Sequence, residues 1–150
     1  MIEESLDVML WALNAADPES LLEMPEIGFD LIAENDGPFK TALDRTKYHV
    51  RYEDADPLTE RQKTNVFLER LDALLQNGPW LFGDHPTLAD FAILPFIRQF
   101  SNVDRTAFDA QGHRAVSDWL DRFLASERFT SIMSKYAKWE PGAPETPFPG

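Results

Sequence analysis

The stretch at residues 83–100, GDHPTLADFAILPFIRQF, constrains the fold of this chain more than any other. Thr87 and Asp90 have the spacing of a capping box, in which each side chain accepts a hydrogen bond from the other residue's backbone amide. A helix formed by the residues that follow Thr87 would have little polar surface. Its apolar residues include Leu88, Phe91, Ile93, Leu94, Phe96, Ile97 and Phe100. Such a helix is predicted to run through the centre of a domain, with a kink at Pro95.

Asp90 admits a second interpretation, because a carboxylate among apolar side chains titrates at a raised pH and can serve as a catalytic acid. We favour capping, since Thr87 stands where the cap requires it. The sequence sets no base beside Ser5, and neither a Ser-His-Asp order nor a glycine-rich phosphate loop stands out. No catalytic residue is therefore assigned to this chain.

Almost every other segment has helical period. Asp17-Pro18 and Asp56-Pro57 are start signals, with Asp as the N-cap and Pro as the first helical residue. The helix after Asp56 carries an apolar stripe and is predicted to end at Asn77-Gly78, with Gly78 in the left-handed conformation.

A break at Gly37-Pro38 is predicted ahead of a helix from Phe39 to Tyr48, and further apolar stripes lie within 116–124 and 129–133. Strand signals bounded by turn dipeptides are missing. The predicted fold class is all-α, with roughly six or seven helices in a bundle-like array. The last ten residues, PGAPETPFPG, hold four prolines and are predicted to be extended or disordered.

Composition narrows the functions that the chain can have. A net charge of −12 argues against binding to nucleic acid or anionic lipid, since like charges repel. The chain has no cysteine, which excludes disulfides and fits a cytoplasmic location, and no apolar run is long enough for a membrane span. His49, His85 and His113 lack ligand partners at helical spacing, so no metal site is predicted.

The first predicted helix, within SLDVMLWAL, is apolar on two faces. One face carries the main stripe, and Val8 and Trp11 lie nearly opposite it. The main stripe consists of Leu6, Met9, Leu10 and Leu13. Either the bundle wraps both faces, or another structure covers the second face.

Gly83-Asp84, Thr87 and Asp90, followed by an apolar helix, resemble the core helix of the C-terminal domain of cytosolic glutathione S-transferases. In that family the motif is a folding and stability element. The resemblance extends from about residue 2 to about residue 139 and implies a glutathione S-transferase C-terminal-like helical bundle.

The start of the chain resembles the end of the family's N-terminal thioredoxin-like domain. There a Glu/Asp-Ser pair binds the γ-glutamyl end of glutathione, and Glu4-Ser5 falls at the matching positions. The resemblance therefore implies that residues 1–15 are the final helix of that domain, that 16–140 form the helical domain, and that 141–150 form the irregular tail. The rest of the thioredoxin-like domain, which activates the thiol of glutathione, would precede Met1.

The resemblance also implies a function for the full-length protein. It would be a homodimer that takes glutathione as co-substrate and a small apolar electrophile as second substrate. In the family the helix that matches 39–48 lines the substrate cleft, so Phe39, Leu43 and Tyr48 are predicted to form part of its wall.

Two alternatives remain open. The basic and aromatic segment DRTKYHVRY faces an anionic ligand, or its cations simply gather where the helix dipole favours them, at a helix C-terminus. The whole chain is either the C-terminal part of a transferase or a free-standing, non-catalytic helical interaction module, whose two-faced first helix would bind a partner protein.

Overall fold

A computed structural model of the chain describes residues 4–47, 57–133, 138 and 140–142. These residues form α-helices, one π-helical segment and connecting turns, with a single isolated bridge between Trp80 and Gly83 in place of a sheet. The all-α fold predicted from the sequence is confirmed. The helices are α1 (Ser5–Ala15), α2 (Ile27–Glu34), the π-helical segment (Asn35–Phe39), α3 (Lys40–Lys47), α4 (Pro57–Leu75), α5 (Leu88–Ser101), α6 (Arg105–Ala110), α7 (Arg114–Leu124) and α8 (Glu127–Ile132).

Helix α5 lies at the centre of the molecule, as its apolar sequence predicts. Ile93, Leu94 and Ile97 have no solvent-accessible surface. Helices α2 and α7 pack against α5, while α4 packs against α3 and α7. Pro95 lies on the exposed side of α5, and the helix continues past it to Ser101.

The Asp90 carboxylate joins three parts of the fold. Its Oδ2 accepts hydrogen bonds from the Thr87 amide at 2.8 Å and the Thr87 hydroxyl at 3.1 Å, within the capping box that opens α5. Its Oδ1 accepts from the Leu81 amide and from the indole N–H of Trp119 on α7, both at 3.0 Å. The residue that caps α5 thus also binds α7 and the turn before α5.

These contacts leave Asp90 no surface for a substrate. The residue is fully buried, and each of its oxygens already accepts two hydrogen bonds. Burial raises the pKa of the Asp90 carboxyl, and the hydrogen bonds from Thr87, Leu81 and Trp119 act in the opposite direction by favouring the ionised form. The interpretation of Asp90 as a catalytic acid is therefore wrong, and its role is structural.

We expect Thr87→Ala to lower the free energy of unfolding by about 1 kcal/mol, the usual cost of a lost N-cap side chain. Asp90→Asn should cost about 3 kcal/mol, because an amide cannot accept four hydrogen bonds and sets a donor against existing donors. Urea unfolding followed by circular dichroism measures both. Thr87→Ser keeps the hydroxyl and serves as the control; unfolding midpoints unchanged in Thr87→Ala and Asp90→Asn would contradict the network.

Helices α2 and α3 are continuous through the π-helical segment, so the break predicted at Gly37-Pro38 is wrong. In an α-helix the ring of Pro38 would meet the carbonyl of Glu34, four residues earlier. The wider turn avoids this contact, and the Lys40 amide reaches back five residues to the carbonyl of Asn35. The Thr41 hydroxyl donates to the carbonyl of Gly37 at 2.9 Å, so the helix passes the proline with that acceptor satisfied.

Asp17-Pro18 does not begin a helix as predicted. The Asp17 carboxylate instead accepts hydrogen bonds from the amides of Leu21 and Leu22, at 2.8 and 2.9 Å, and closes a turn. Helix α2 begins only at Ile27. An Asp side chain satisfies free amides at an N-cap and in a turn equally well, so the two structures share one sequence signal.

The left-handed conformation predicted for Gly78 is also wrong. Helix α4 ends at Leu75, and among the described glycines Gly83, Gly112 and Gly142 have a positive φ, whereas Gly78 does not. Gly78 is needed for another reason: a Cβ at this position would lie 2.8 Å from the carbonyl oxygen of Gly83. The missing side chain allows two backbone segments to approach closely.

Gly78→Ala should therefore lower the free energy of unfolding by about 1–3 kcal/mol, because backbone rather than a flexible side chain must move. Gly37→Ala is the matched control: a Cβ at Gly37 would meet nothing within 4 Å. This control should leave the stability unchanged or raise it, since alanine restricts the unfolded chain. Equal thermal midpoints for both variants would contradict the close approach at Gly78.

Two short helices differ from the prediction. Helix α6 was not predicted, and the signal for it is Asp104, whose side chain accepts from the Ala107 amide at 2.9 Å as an N-cap. The stripe predicted within 129–133 forms α8, but Ile132 is 70% exposed and Met133 48% exposed. Only Phe129 of that stripe packs inwards, with its ring centroid 5.0 Å from that of Phe123.

Candidate functional site

The candidate glutathione-binding pair lies at the N-terminus of α1. Glu4 precedes the helix in extended conformation and Ser5 is its first residue, and both side chains are exposed. The Glu4 carboxylate does not cap the helix. The first amides of a helix lack partners within the helix, so this end presents a carboxylate, a hydroxyl and backbone donors together.

Among the described residues, helix α1 is covered on one face only. Leu6, Met9 and Leu10 are half-buried against the core, whereas Val8 is 50% exposed and Trp11 64% exposed. Ala12 and Ala15 continue the exposed side along the helix. The bundle therefore does not wrap both faces, and the first of the two sequence-based alternatives is wrong.

The residues predicted for the cleft wall do not come together in a cleft. Phe39 is 2% exposed and Leu43 has no exposed surface. The Phe39 ring packs between those of Phe67 and Phe100, with centroids 4.9 and 5.8 Å away. Tyr48 lies outside the described residues. As core residues, Phe39 and Leu43 have no surface with which to touch a substrate, because the helix turns that face towards α4.

The described part of the basic segment contributes an ion pair to the fold. Arg45 lies in the last turns of α3, and its Nη1 contacts Oε1 of Glu60 on α4 at 3.3 Å. Lys63 contacts the same oxygen at 3.1 Å, and the Glu60 side chain is only 5% exposed. Burial favours the neutral form of Glu60, but Lys63 and Arg45 outweigh it and hold the pKa of this carboxyl below its usual value.

This lowered pKa predicts a pH-dependent contribution to stability. Because the folded-state pKa lies below the unfolded value near 4.5, the interactions stabilise the folded state above that pH and are lost as the pH falls through the folded-state pKa. Glu60→Gln should thus cost about 1–2 kcal/mol at pH 7, with the difference from the unaltered chain vanishing at low pH. Urea unfolding across this range tests it, with the exposed Glu23→Gln as control. A cost independent of pH would contradict the ion pairs.

The two histidines within the described residues have different surroundings. His85 is exposed, His113 is buried with its Nε2 2.7 Å from Oδ1 of Asn65, and His49 lies outside the described residues. Within the described ranges, no three His, Asp or Glu side chains are grouped so that they could hold a metal ion. In the same ranges, no helix has the length and apolar character needed to cross a bilayer.

Two shallow surface depressions lie away from α1, with volumes of about 500 and 490 Å³. The first is lined by Pro95, Arg98, Gln99, Asn102 and Val103. The second is lined by Arg105, Asp109, Gly112, Arg114, Ser117 and Asp121, which the sequence did not single out. Arg105 pairs with the carboxylates of Asp109 and Asp121, and its hydrogen bonds lower the pKa of Asp109. The carboxylates of this second depression are engaged by Arg105.

Residues 60–122 match the family model for the C-terminal domain of glutathione S-transferases. This stretch of the chain is similar to that domain. Comparisons with curated proteins and with solved structures gave no significant match. The matched stretch runs from α4 into α7 and contains the Asp90 network, whereas α1, α2 and α3 lie outside it.

The exposure of α1 gives a direct optical test. Trp11 is 64% exposed, whereas Trp119 is fully buried. Acrylamide should therefore quench a component of the tryptophan fluorescence that Trp11→Phe removes. Both chains unfolded in denaturant serve as the control, since every tryptophan is then accessible. A folded-state quenching constant unaffected by Trp11→Phe would mean that the outer face of α1 is covered.

Proposed function

We propose that this chain is the C-terminal part of a glutathione S-transferase-like protein, whose thiol activation lies in a thioredoxin-like domain ahead of Met1. The observation that carries the proposal is the exposed outer face of α1, with Val8 and Trp11 in solvent, on a chain that matches the transferase C-terminal domain. A helix with two apolar faces is normally covered on both. A preceding domain would supply the missing cover.

In this proposal Glu4 and Ser5 hold the γ-glutamyl end of glutathione. The Glu4 carboxylate pairs with the γ-glutamyl ammonium, while the Ser5 hydroxyl and the N-terminal end of α1 hold its carboxylate. The exposure of both side chains and the absence of a cap from Glu4 support this role. The residues of this chain would bind and orient glutathione and leave activation of its thiol to the other domain.

The second substrate is a small apolar electrophile bound between the two domains, and the protein acts as a cytoplasmic homodimer. Phe39 and Leu43 are buried in the core and do not contact the electrophile in this proposal. Thiolate attack on the electrophile is the reaction class. Acidic composition and the lack of cysteine are compatible with this setting.

The first experiment measures the mass of the protein in its source cells with an antibody raised against this chain. A band larger than 17.1 kDa by a thioredoxin-sized domain would support the proposal. In that longer protein Glu4→Gln should raise the Kd for glutathione by about tenfold or more, the loss expected for a charge-assisted hydrogen bond. Glu23→Gln, which changes the same charge elsewhere, is the control.

The isolated chain should show negligible conjugation of glutathione to a chromogenic electrophile, because it holds no group assigned to thiol activation. Turnover well above the uncatalysed rate, retained after size-exclusion chromatography, would contradict this proposal. Circular dichroism of the same sample verifies that the isolated chain is folded during the assay.

A native band at 17.1 kDa would instead favour a non-catalytic interaction module. The same exposed face of α1 supports this second candidate, because Val8 and Trp11 could receive a helix of a partner protein. Trp11→Glu would then abolish capture of that partner while leaving the fold intact.

A further inference from the structure

The segment that connects α1 to α2, residues 16–26, is built as a fixed turn rather than a loose linker. The Asp17 carboxylate holds the amides of Leu21 and Leu22, and Ser20 adopts a positive φ of 56°. Leu21 is 8% exposed, and its carbonyl accepts from the Leu88 amide at the start of α5 at 2.8 Å. The middle of the connecting segment is thereby attached to α5.

A second attachment comes from α8, at the other end of the chain. The Arg128 guanidinium lies 4.5 Å from the centroid of the Phe91 ring on α5. Its Nη2 donates to both carboxylate oxygens of Glu19, at 2.6 Å for Oε1. Arg128 thus lies between an aromatic ring of the core helix and a carboxylate of the connecting segment.

Helix α1 depends on its neighbours to remain a helix. It has no buried residue, and an isolated helix of its length is marginal in water. Its half-buried face contacts the core, and within the described residues its backbone joins the bundle through the connecting segment. An α1 that loses its position should therefore also lose its helical hydrogen bonds.

We propose that Arg128, through Glu19, clamps the connecting segment onto α5 and so positions α1 on the bundle. Arg128 is suited to this role because a guanidinium stacks on an aromatic face and pairs with a carboxylate at once, which a lysine does less well. The clamp makes a residue of α8 control the placement of a helix more than a hundred positions earlier in the chain, as the sequence separation of 109 between Arg128 and Glu19 shows.

Hydrogen exchange read by mass spectrometry on the full chain tests the clamp. Arg128→Gln should speed exchange of the α1 amides about threefold or more, the factor expected for loss of a combined surface ion pair and cation–π contact. Glu19→Gln removes the ion pair alone and should speed the same amides by a smaller factor. The double variant should be no faster than the faster single one, because both remove the same link. The amides of α5 are the internal reference and should not change.

Arg114→Gln is the matched control, because Arg114 is 92% exposed and reaches Asp118 only at 4.0 Å. It changes the net charge as Arg128→Gln does, whereas Glu19→Gln changes it in the opposite direction. Faster exchange in α8 alone would show that Arg128 merely holds its own helix, and would overturn the proposal. Equal acceleration in Arg114→Gln, or α1 amides unprotected in the unaltered chain, would overturn it as well.

The experiment that tests the clamp is independent of the experiments that test the proposed function. The exchange measurement needs neither glutathione nor a preceding domain, so a negative result would count against the clamp alone. A positive result would mean that Glu4 and Ser5, at the start of α1, are oriented by a residue of the last described helix.

Discussion

The buried carboxylate of Asp90 is the interaction on which the rest of the structure depends. Four donors converge on it, from the start of α5, from the turn before α5 and from the indole of Trp119 on α7. A buried charge is tolerated only when its hydrogen bonds are satisfied, and here both oxygens are. The same group binds the N-cap residue of α5 and links α7 to the start of α5.

The periphery is held by different forces. Helices α1 and α8 bury no residue completely, and their attachment combines half-buried apolar contacts with surface ion pairs and an arginine stacked on an aromatic ring. Such contacts contribute less free energy than full burial, so these two helices belong to the least stable part of the fold. The exposed outer face of α1, with Val8 and Trp11, lies in this less stable part.

The parts of the fold that could be predicted from the sequence are those set by residue patterns within a single helix. The capping box and the stripe of α7 were predicted because period and spacing determine them within a single helix. The predictions at Asp17, Gly37-Pro38 and Gly78 were wrong because the same local sequence is compatible with two backbone structures. Distant groups, such as the backbone of Gly83, determine which of the two forms. Phe39 and Leu43 were assigned to a cleft by resemblance, whereas the packing of α3 on α4 buries them. For Glu4 and Ser5 the sequence indicates a helix start, and their ligand remains a proposal.

The partners of Asp90 also bear on the order in which the chain folds. They lie 3, 9 and 29 residues away from it along the sequence, all inside the stretch that matches the transferase domain. Closing short loops costs little entropy, so this network can form early in folding. The contact between Arg128 and Glu19 spans 109 residues and needs α5 in place first. We therefore expect folding to begin in the region around α5 and α7, with α1 docking last.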